Sequence, residues 1–215
     1  ASWMGRGAAP FVSVKSENTL HMVASLYEIP SGNPVFQKIY RGSKNSWRSM
    51  THEFVADILF RFTGRRGVSE SKIVFSNNAT GSKELYTVDF DGDNLKRITA
   101  DKSISMLPRW SPDGKEIIFT SFRSGNPDLY IHSLGKATTR AVSTRKGLNT
   151  SASFWPDGKQ IAVTLSHEGS PSIYLVDRSG KVLRRLTNMK GADTSPSVSP
   201  DGRKILFTSD RPGWP

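Results

Sequence analysis

The stretch WSPDGKEIIFTSFRSGNPDLYIHSL, residues 110–134, contains a motif that returns twice more along the chain. WPDGKQIAVTLS begins at Trp155 and SPDGRKILFTSD begins at Ser199. The shared aspartates recur every 44 residues, at positions 113, 157 and 201. The same phase is kept by isoleucine at 73, 117, 161 and 205 and by tyrosine at 86, 130 and 174. A fixed period of this length predicts a row of similar structural units.

Each repeat is predicted to hold four short strands. The first ends at Trp110, Phe154 or Val198, and a Pro-Asp-Gly turn follows it, since proline presets φ and glycine accepts a positive φ. Apolar residues alternate through the second strand, 115–121, and a third strand follows at 128–133. The fourth strand is expected to end near 97–99 and 185–187. Four strands in about 44 residues are typical of a β-propeller blade.

The length of the repeat region predicts an incomplete ring. Residues 71–215 hold about three repeats, and the first repeat lacks its first strand because RRGVSE stands there instead of the motif. Propellers usually need roughly four to eight blades to close a ring. We therefore expect a mainly β chain whose residues 67–215 form a partial β-propeller and belong to a longer protein.

Residues 1–66 are predicted to form a different, small α+β domain, itself truncated at its start. Three strands are expected at 11–16, 19–29 and 35–40, with a turn at 30–34 between the last two. Apolar residues at 47, 50, 54, 58 and 62 recur at helical spacing. This pattern predicts a helix that begins at Ser46 as its N-cap and stops before Gly64.

Composition excludes several classes of function. The 215 residues include no cysteine, which removes disulfides and thiolate chemistry. No run approaches the roughly 20 apolar residues of a membrane span. The net charge of +11 is divided between residues 1–70, at +4, and residues 71–215, at +7. Because a nucleic-acid groove needs concentrated basic charge, we expect no nucleic-acid partner.

The sequence contains none of the common catalytic or metal-binding motifs. The sequence has no G-x-S-x-G, no phosphate-binding G-x-x-x-x-G-K-[ST] and no H-E-x-x-H. DFDGDN at 89–94 imitates the start of a calcium loop, but Asn94 and Ala100 replace the required Gly and Glu. The repeated aspartates lie in turns, where they cap backbone N–H groups. We therefore expect no enzyme activity, no cofactor and no metal.

Two stretches carry a resemblance to a known family. The repeat at 110–134 and the segment YRGSKNSWRSMTHEFVADILFRFTG, residues 40–64, together resemble TolB proteins of the Tol-Pal system. The resemblance implies six blades, with the missing first strand supplied by the family's last segment. It also implies a periplasmic scaffold that binds the Pal lipoprotein and other outer-membrane proteins and supports outer-membrane integrity and cell division. TolA would be contacted through an amino-terminal segment not present in this sequence.

A second reading of the repeat stays open. Propellers attached to serine peptidases share the Ser-Pro-Asp-Gly repeat, so the chain could be the gating domain of a prolyl-oligopeptidase-like enzyme whose catalytic domain is absent. The sequence after Pro215 separates the two readings. Further repeats favour the TolB resemblance, whereas an α/β domain with G-x-S-x-G favours the peptidase.

The 44-residue phase also places a candidate partner-binding site. Propellers bind partners at the mouth of the central channel, where the loops enter each innermost strand. In proteins similar to TolB this face receives Pal. The positions with that phase are Ser105, Met106, Leu107, Asn149, Thr150, Ser151, Asp193, Thr194 and Ser195.

Overall fold

The computed structural model describes residues 6–14, 19–28, 31–188 and 190–211. The chain divides into two compact units. The first unit comprises Ala1–Lys72 with Asp89–Asp93, and the second comprises Ile73–Val88 with Asn94–Pro215. The two units differ in architecture, since the first contains the helix and the second contains repeated antiparallel sheets.

The first unit is an antiparallel three-stranded sheet with one helix. Strands β1 (Arg6–Val14), β2 (Thr19–Glu28) and β3 (Pro34–Ser43) are neighbours in chain order, and helix α1 (Trp47–Thr63) follows a short 3-10 turn. The predicted α+β character is confirmed. Strand β3 runs three residues further than expected, and the predicted residues 15, 16, 29 and 30 lie outside the described residues.

Helix α1 packs on the sheet through the central part of the predicted apolar stripe, whereas Trp47 at its start is 59% exposed. Met50 and Phe54 are buried against Met22 and Tyr40, and the rings of Phe54 and Tyr40 meet edge to face at 6.2 Å. The helix ends at Gly64, whose φ of +71° suits glycine and whose N–H donates to the Phe60 carbonyl at 2.9 Å. Ser46 is the N-cap residue as predicted, although its side chain makes no capping bond.

The second unit contains four successive sheets, each built from strands adjacent in sequence. Blade I has three strands, blades II and III have four each, and blade IV has two within the described residues. The strands are β4 (Lys72–Asn77), β5 (Glu84–Asp89), β6 (Lys96–Arg97), β7 (Ser105–Trp110), β8 (Glu116–Ser121), β9 (Asp128–Ser133), β10 (Thr138–Ser143), β11 (Asn149–Phe154), β12 (Gln160–Leu165), β13 (Ser172–Asp177), β14 (Val182–Arg185), β15 (Asp193–Val198) and β16 (Ile205–Ser209). The predicted partial propeller is confirmed.

Most strand ends follow the sequence prediction, and the fourth strands are the exception. The innermost strands end at Trp110, Phe154 and Val198 as expected. The fourth strands end at 97 and 185 rather than at 99 and 187. The hydroxyls of Thr99 and Thr187 instead accept the N–H groups of Leu85 and Ile173, at 2.9 and 3.0 Å, so side chains replace the next rung of the ladder.

The Pro-Asp-Gly turns have the structure that their sequence predicted. Gly114, Gly158 and Gly202 have φ between +67° and +70°, and each preceding aspartate accepts the N–H two residues beyond it at 2.9 to 3.1 Å. Hydrogen bonds from the hydroxyls of Ser111 and Ser199 lower the pKa of the Asp113 and Asp201 carboxyls. These carboxylates shape turns, as expected.

The core lies between the flat faces of consecutive blades. Ile118 and Ile131 of blade II share one buried cluster with Ile161 and Val163 of blade III. A second cluster joins Leu85 of blade I to residues of blade II. Because each buried aliphatic side chain contributes about 1.5 to 3 kcal/mol, packing between blades holds the row together.

A close backbone approach between blades II and III predicts a sharp glycine requirement. A Cβ on Gly180 would lie 1.6 Å from the Val142 carbonyl oxygen, whereas a Cβ on Gly92 would meet nothing within 4 Å. Both residues have φ of +89°. We expect Gly92→Ala to cost about 1 kcal/mol of unfolding free energy through its positive φ alone. Gly180→Ala should cost several times more, measured by urea unfolding of the intact protein; equal losses would refute the steric argument.

The open edges of the first and last sheets predict whether the 215-residue polypeptide stays monomeric by itself. Within the described residues β4 pairs only with β5 and β16 only with β15, and the side chains of Ile73 and Leu206 are 49% and 77% exposed. Open strand edges pair with other chains. The isolated polypeptide should therefore self-associate, as light scattering after gel filtration would show. A monodisperse monomer with a cooperative, high-temperature melt would be inconsistent with this expectation.

Candidate partner-binding site at the innermost strands

The nine predicted site residues lie inside strands, which corrects the prediction that they form loops. They occupy the first three positions of β7, β11 and β15. Strand β11 contacts both β7 and β15, so these three innermost strands stand side by side. We call the end of the sheets where they begin the entry side, and the end with the Pro-Asp-Gly turns the turn side.

The first residue of each innermost strand is fixed by the preceding blade. The N–H groups of Ser105, Asn149 and Asp193 donate to the carbonyls of residues 83, 127 and 171, at 2.7, 3.0 and 2.9 Å. These three side chains are at most 1% exposed. Their position anchors the crossover from one blade to the next, and it leaves them no surface for direct contact with a partner.

Buried polar partners hold two of these anchor side chains. The Asn149 amide oxygen accepts the Ser143 hydroxyl at 2.5 Å, and its nitrogen donates to the Arg145 carbonyl at 2.6 Å. Asp193 pairs with the Arg211 guanidinium at 2.6 Å. Burial is the largest single influence on the pKa of the Asp193 carboxyl and raises it. Hydrogen bonds from Arg211, Ser209 and Thr187, together with the Arg211 charge, outweigh burial and hold that pKa below its usual value.

The third residue of each innermost strand is a β-bulge with a left-handed backbone. Leu107, Ser151 and Ser195 have φ of +54°, +52° and +54°. In each strand the pairing register shifts across this residue and the one after it. A positive φ is costly for residues other than glycine, and such strain collects at sites that bind ligands. The same bulge, with the same left-handed residue, therefore occurs at the same position of three successive repeats.

The three bulges line one cavity of about 180 Å³. Its other lining residues are Pro108, Ala152 and Pro196 at the next position of each strand, and Arg109. The structure thus brings three of the nine predicted residues together. Neither the Pro-Ala-Pro set nor Arg109, whose repeat equivalents are serines at 153 and 197, was among the predicted site residues.

The second residues of the innermost strands lie beside the cavity rather than in its lining. Met106, Thr150 and Thr194 are half-buried. The Thr150 hydroxyl accepts a hydrogen bond from the Thr120 hydroxyl of the preceding blade at 3.1 Å. Their role in partner contact stays a prediction.

The residues that line the cavity are of the kinds found in recognition surfaces rather than in catalytic sites. Its lining combines prolines, alanine and leucine with two serines and one arginine, and no histidine or carboxylate stands beside those serines to act as a base. Two histidines of the second unit contact other elements: His132 bonds Thr139 at 2.9 Å, and burial lowers its pKa. His167 lies against the Tyr174 ring.

The calcium-like aspartates are bonded to cations of the chain. Asp91 and Asp93 both pair with Arg48, and His52 lies 2.7 Å from Asp91. Asp89 pairs with Lys72. Across the described residues no group of three or more His, Asp or Glu side chains is placed to hold a metal ion. The same residues include no helix long and apolar enough to cross a membrane.

Repeated four-stranded antiparallel sheets, joined so that their first strands line a cavity, define a β-propeller. A family model described as TolB beta propeller domain matches residues 60–215. The chain therefore belongs to the TolB beta-propeller domain family.

Named relatives and a solved structure agree with this assignment. The Tol-Pal system protein TolB of Geobacter sulfurreducens is 40% identical over 120 residues, which are 54% of this chain and 27% of that protein. A protein TolB homolog of Chlorobium chlorochromatii is 42% identical over 89 residues, 41% of this chain and 20% of the relative. TolB from Acinetobacter baumannii has a TM-score of 0.84 and 30% identity, covering 97% of this chain and 53% of that one. The chain thus spans only part of its relatives.

The anchor role of Asp193 can be separated from a role in binding. Asp193→Ala would leave Arg211 without its buried partner and should lower the free energy of unfolding by about 2 kcal/mol. Thr194→Ala, one residue further, should change it by less than about 1 kcal/mol. Because the folded-state pKa of Asp193 is lowered, its contribution is present above about pH 4 and lost as the pH falls below that. Urea unfolding at pH 7 and pH 3 measures both; a loss in Asp193→Ala that is the same at both pH values would contradict the ion-pair account.

Proposed function

We propose that this chain is part of a non-enzymatic, periplasmic protein-binding scaffold of the Tol-Pal system. It would bind the Pal lipoprotein and so support outer-membrane integrity and cell division. Family membership and relatives named as Tol-Pal system proteins support the proposal. The same relatives favour it over the gate of a serine peptidase.

The observation that carries the proposal is the cavity between β7, β11 and β15. Three strained bulges at one repeat phase shape its wall, and its lining suits contact with a polypeptide better than catalysis. Leu107, Ser151 and Ser195 would contact the partner directly. Met106, Thr150 and Thr194 would flank that contact, and the three buried anchors would hold the strands in place.

The two domains would divide the work of the protein. In this proposal residues 67–215 belong to the propeller that binds Pal. Residues 1–66 belong to the preceding α+β domain, and contact with TolA would use a segment that lies before this sequence in the whole protein. Other outer-membrane proteins are further partners that the family relation suggests.

Blocking the cavity tests the proposed function. Ser195→Trp in the intact protein would fill the cavity with a large ring and should weaken binding of soluble Pal about a hundredfold, as loss of a central contact does. Thr138→Trp places the same ring on the exposed start of β10, at the turn side. This control should bind Pal as the wild type does. Titration calorimetry measures both variants, and a melting curve shows that each is folded.

The pair of variants also shows which face is used. If Thr138→Trp weakens binding and Ser195→Trp does not, Pal binds the turn side. If the wild-type protein fails to bind Pal at all, the proposed function is wrong.

A further inference from the structure

Three lysines stand at equivalent positions on the entry side. Lys102, Lys146 and Lys190 each lie three residues before the first residue of an innermost strand. All three are exposed. Within the described part of the chain none of their ammonium groups makes an ion pair or a hydrogen bond with another side chain. Because these ammonium groups are exposed and have no partner among the described side chains, their charge faces solvent.

Three carboxylates at the same end of the sheets accept hydrogen bonds from the protein itself. Asp101 pairs with Arg123 at 2.5 Å. Glu168 accepts the Tyr174 hydroxyl at 2.8 Å and lies 3.5 Å from Arg185. Asp210 accepts the N–H of residue 192. The charges of Asp101 and Glu168 are thus offset by arginines. Asp210 bonds a neutral N–H and keeps its charge, so the three lysines still leave the entry side with a net positive charge.

The cavity itself has the same sign. Arg109 is the one charged residue in its lining, and it is exposed. The corresponding residues of the next two strands are serines. Arg109 in the lining and the three lysines of the entry side carry charge of the same sign, so their potentials add for an approaching partner.

The turn side also carries lysines, but two of them have carboxylates close by in sequence. There Lys115 and Lys159 each follow a turn aspartate, Asp113 or Asp157, by two residues. Those carboxylates accept backbone N–H groups, which are neutral, and so keep their negative charge beside the lysines. The charges of Lys115 and Lys159 are therefore offset by neighbouring carboxylates.

We infer that the polypeptide segment seated in the cavity is acidic, and that Lys102, Lys146, Lys190 and Arg109 attract it. The inference rests on the proposed function, because it assumes that a protein binds the entry side. It favours a protein over an anionic membrane because the lysines are one repeat apart around a concave site. A membrane-binding patch is usually an uninterrupted cluster of roughly four to eight basic residues.

Reversing the entry-side charges tests the inference in the intact protein. The triple variant Lys102→Glu, Lys146→Glu, Lys190→Glu should bind soluble Pal with an association rate at least about tenfold lower near 20 mM salt. The deficit should shrink to about twofold near 500 mM salt, where screening is strong. Arg109→Gln should instead act mainly on dissociation, because its charge would be desolvated in the complex. Stopped-flow fluorescence measures both rates.

The matched control reverses three lysines of the turn side: Lys115→Glu, Lys136→Glu and Lys159→Glu. It makes the same change in net charge, so a nonspecific charge effect would lower its association rate equally. We expect a change of about twofold or less. Equal effects in the two triple variants would overturn the inference, and so would an unchanged rate in the entry-side variant.

The outcomes separate this inference from the proposed function. Salt-insensitive Pal binding that survives the entry-side reversal, but is lost in Ser195→Trp, supports the function and refutes the acidic segment. Binding of phosphatidylglycerol vesicles that only the entry-side variant loses, with Pal binding unchanged, assigns the lysines to a lipid and also refutes it. Absence of Pal binding in the wild type overturns both.

Discussion

One backbone hydrogen bond, made three times, holds the innermost strands in place. At the start of β7, β11 and β15 an N–H donates to the carbonyl just before β5, β9 and β13, respectively, in the preceding blade. The bond joins two blades where the chain crosses between them, so it sets the distance and direction at which each new innermost strand begins. The side chains at these positions are buried because they lie where two blades meet.

With the start of each strand fixed, the bulge two residues later decides which residues line the cavity. A regular strand would alternate its side chains, whereas the left-handed residue at 107, 151 and 195 brings two consecutive positions into the lining. The cost in backbone strain is small beside the burial between blades. The protein can therefore carry a strained cavity wall because its stability comes from the faces of the blades.

The sequence allowed the architecture to be predicted but only part of the site. Proline, aspartate and glycine have conformational preferences strong enough to locate the turns, and alternation located the central strands. The bulges escaped prediction because neither leucine nor serine signals a positive φ. Ser105, Asn149 and Asp193 were expected at the surface because they are polar, yet the buried bonds that hold them are visible only in three dimensions. Arg109 was missed because it departs from the repeat.

The close approach of Gly180 to the Val142 carbonyl means that one repeat cannot simply replace another. The residue of blade II at the phase of Gly180 is Lys136. If a copy of blade II replaced blade III, a side chain would stand where two backbones touch. The blades therefore share a period and a hydrogen-bond plan, but they are not exchangeable modules. The last hairpin of blade III is fitted to blade II, so the place of this repeat in the row is encoded in its own sequence.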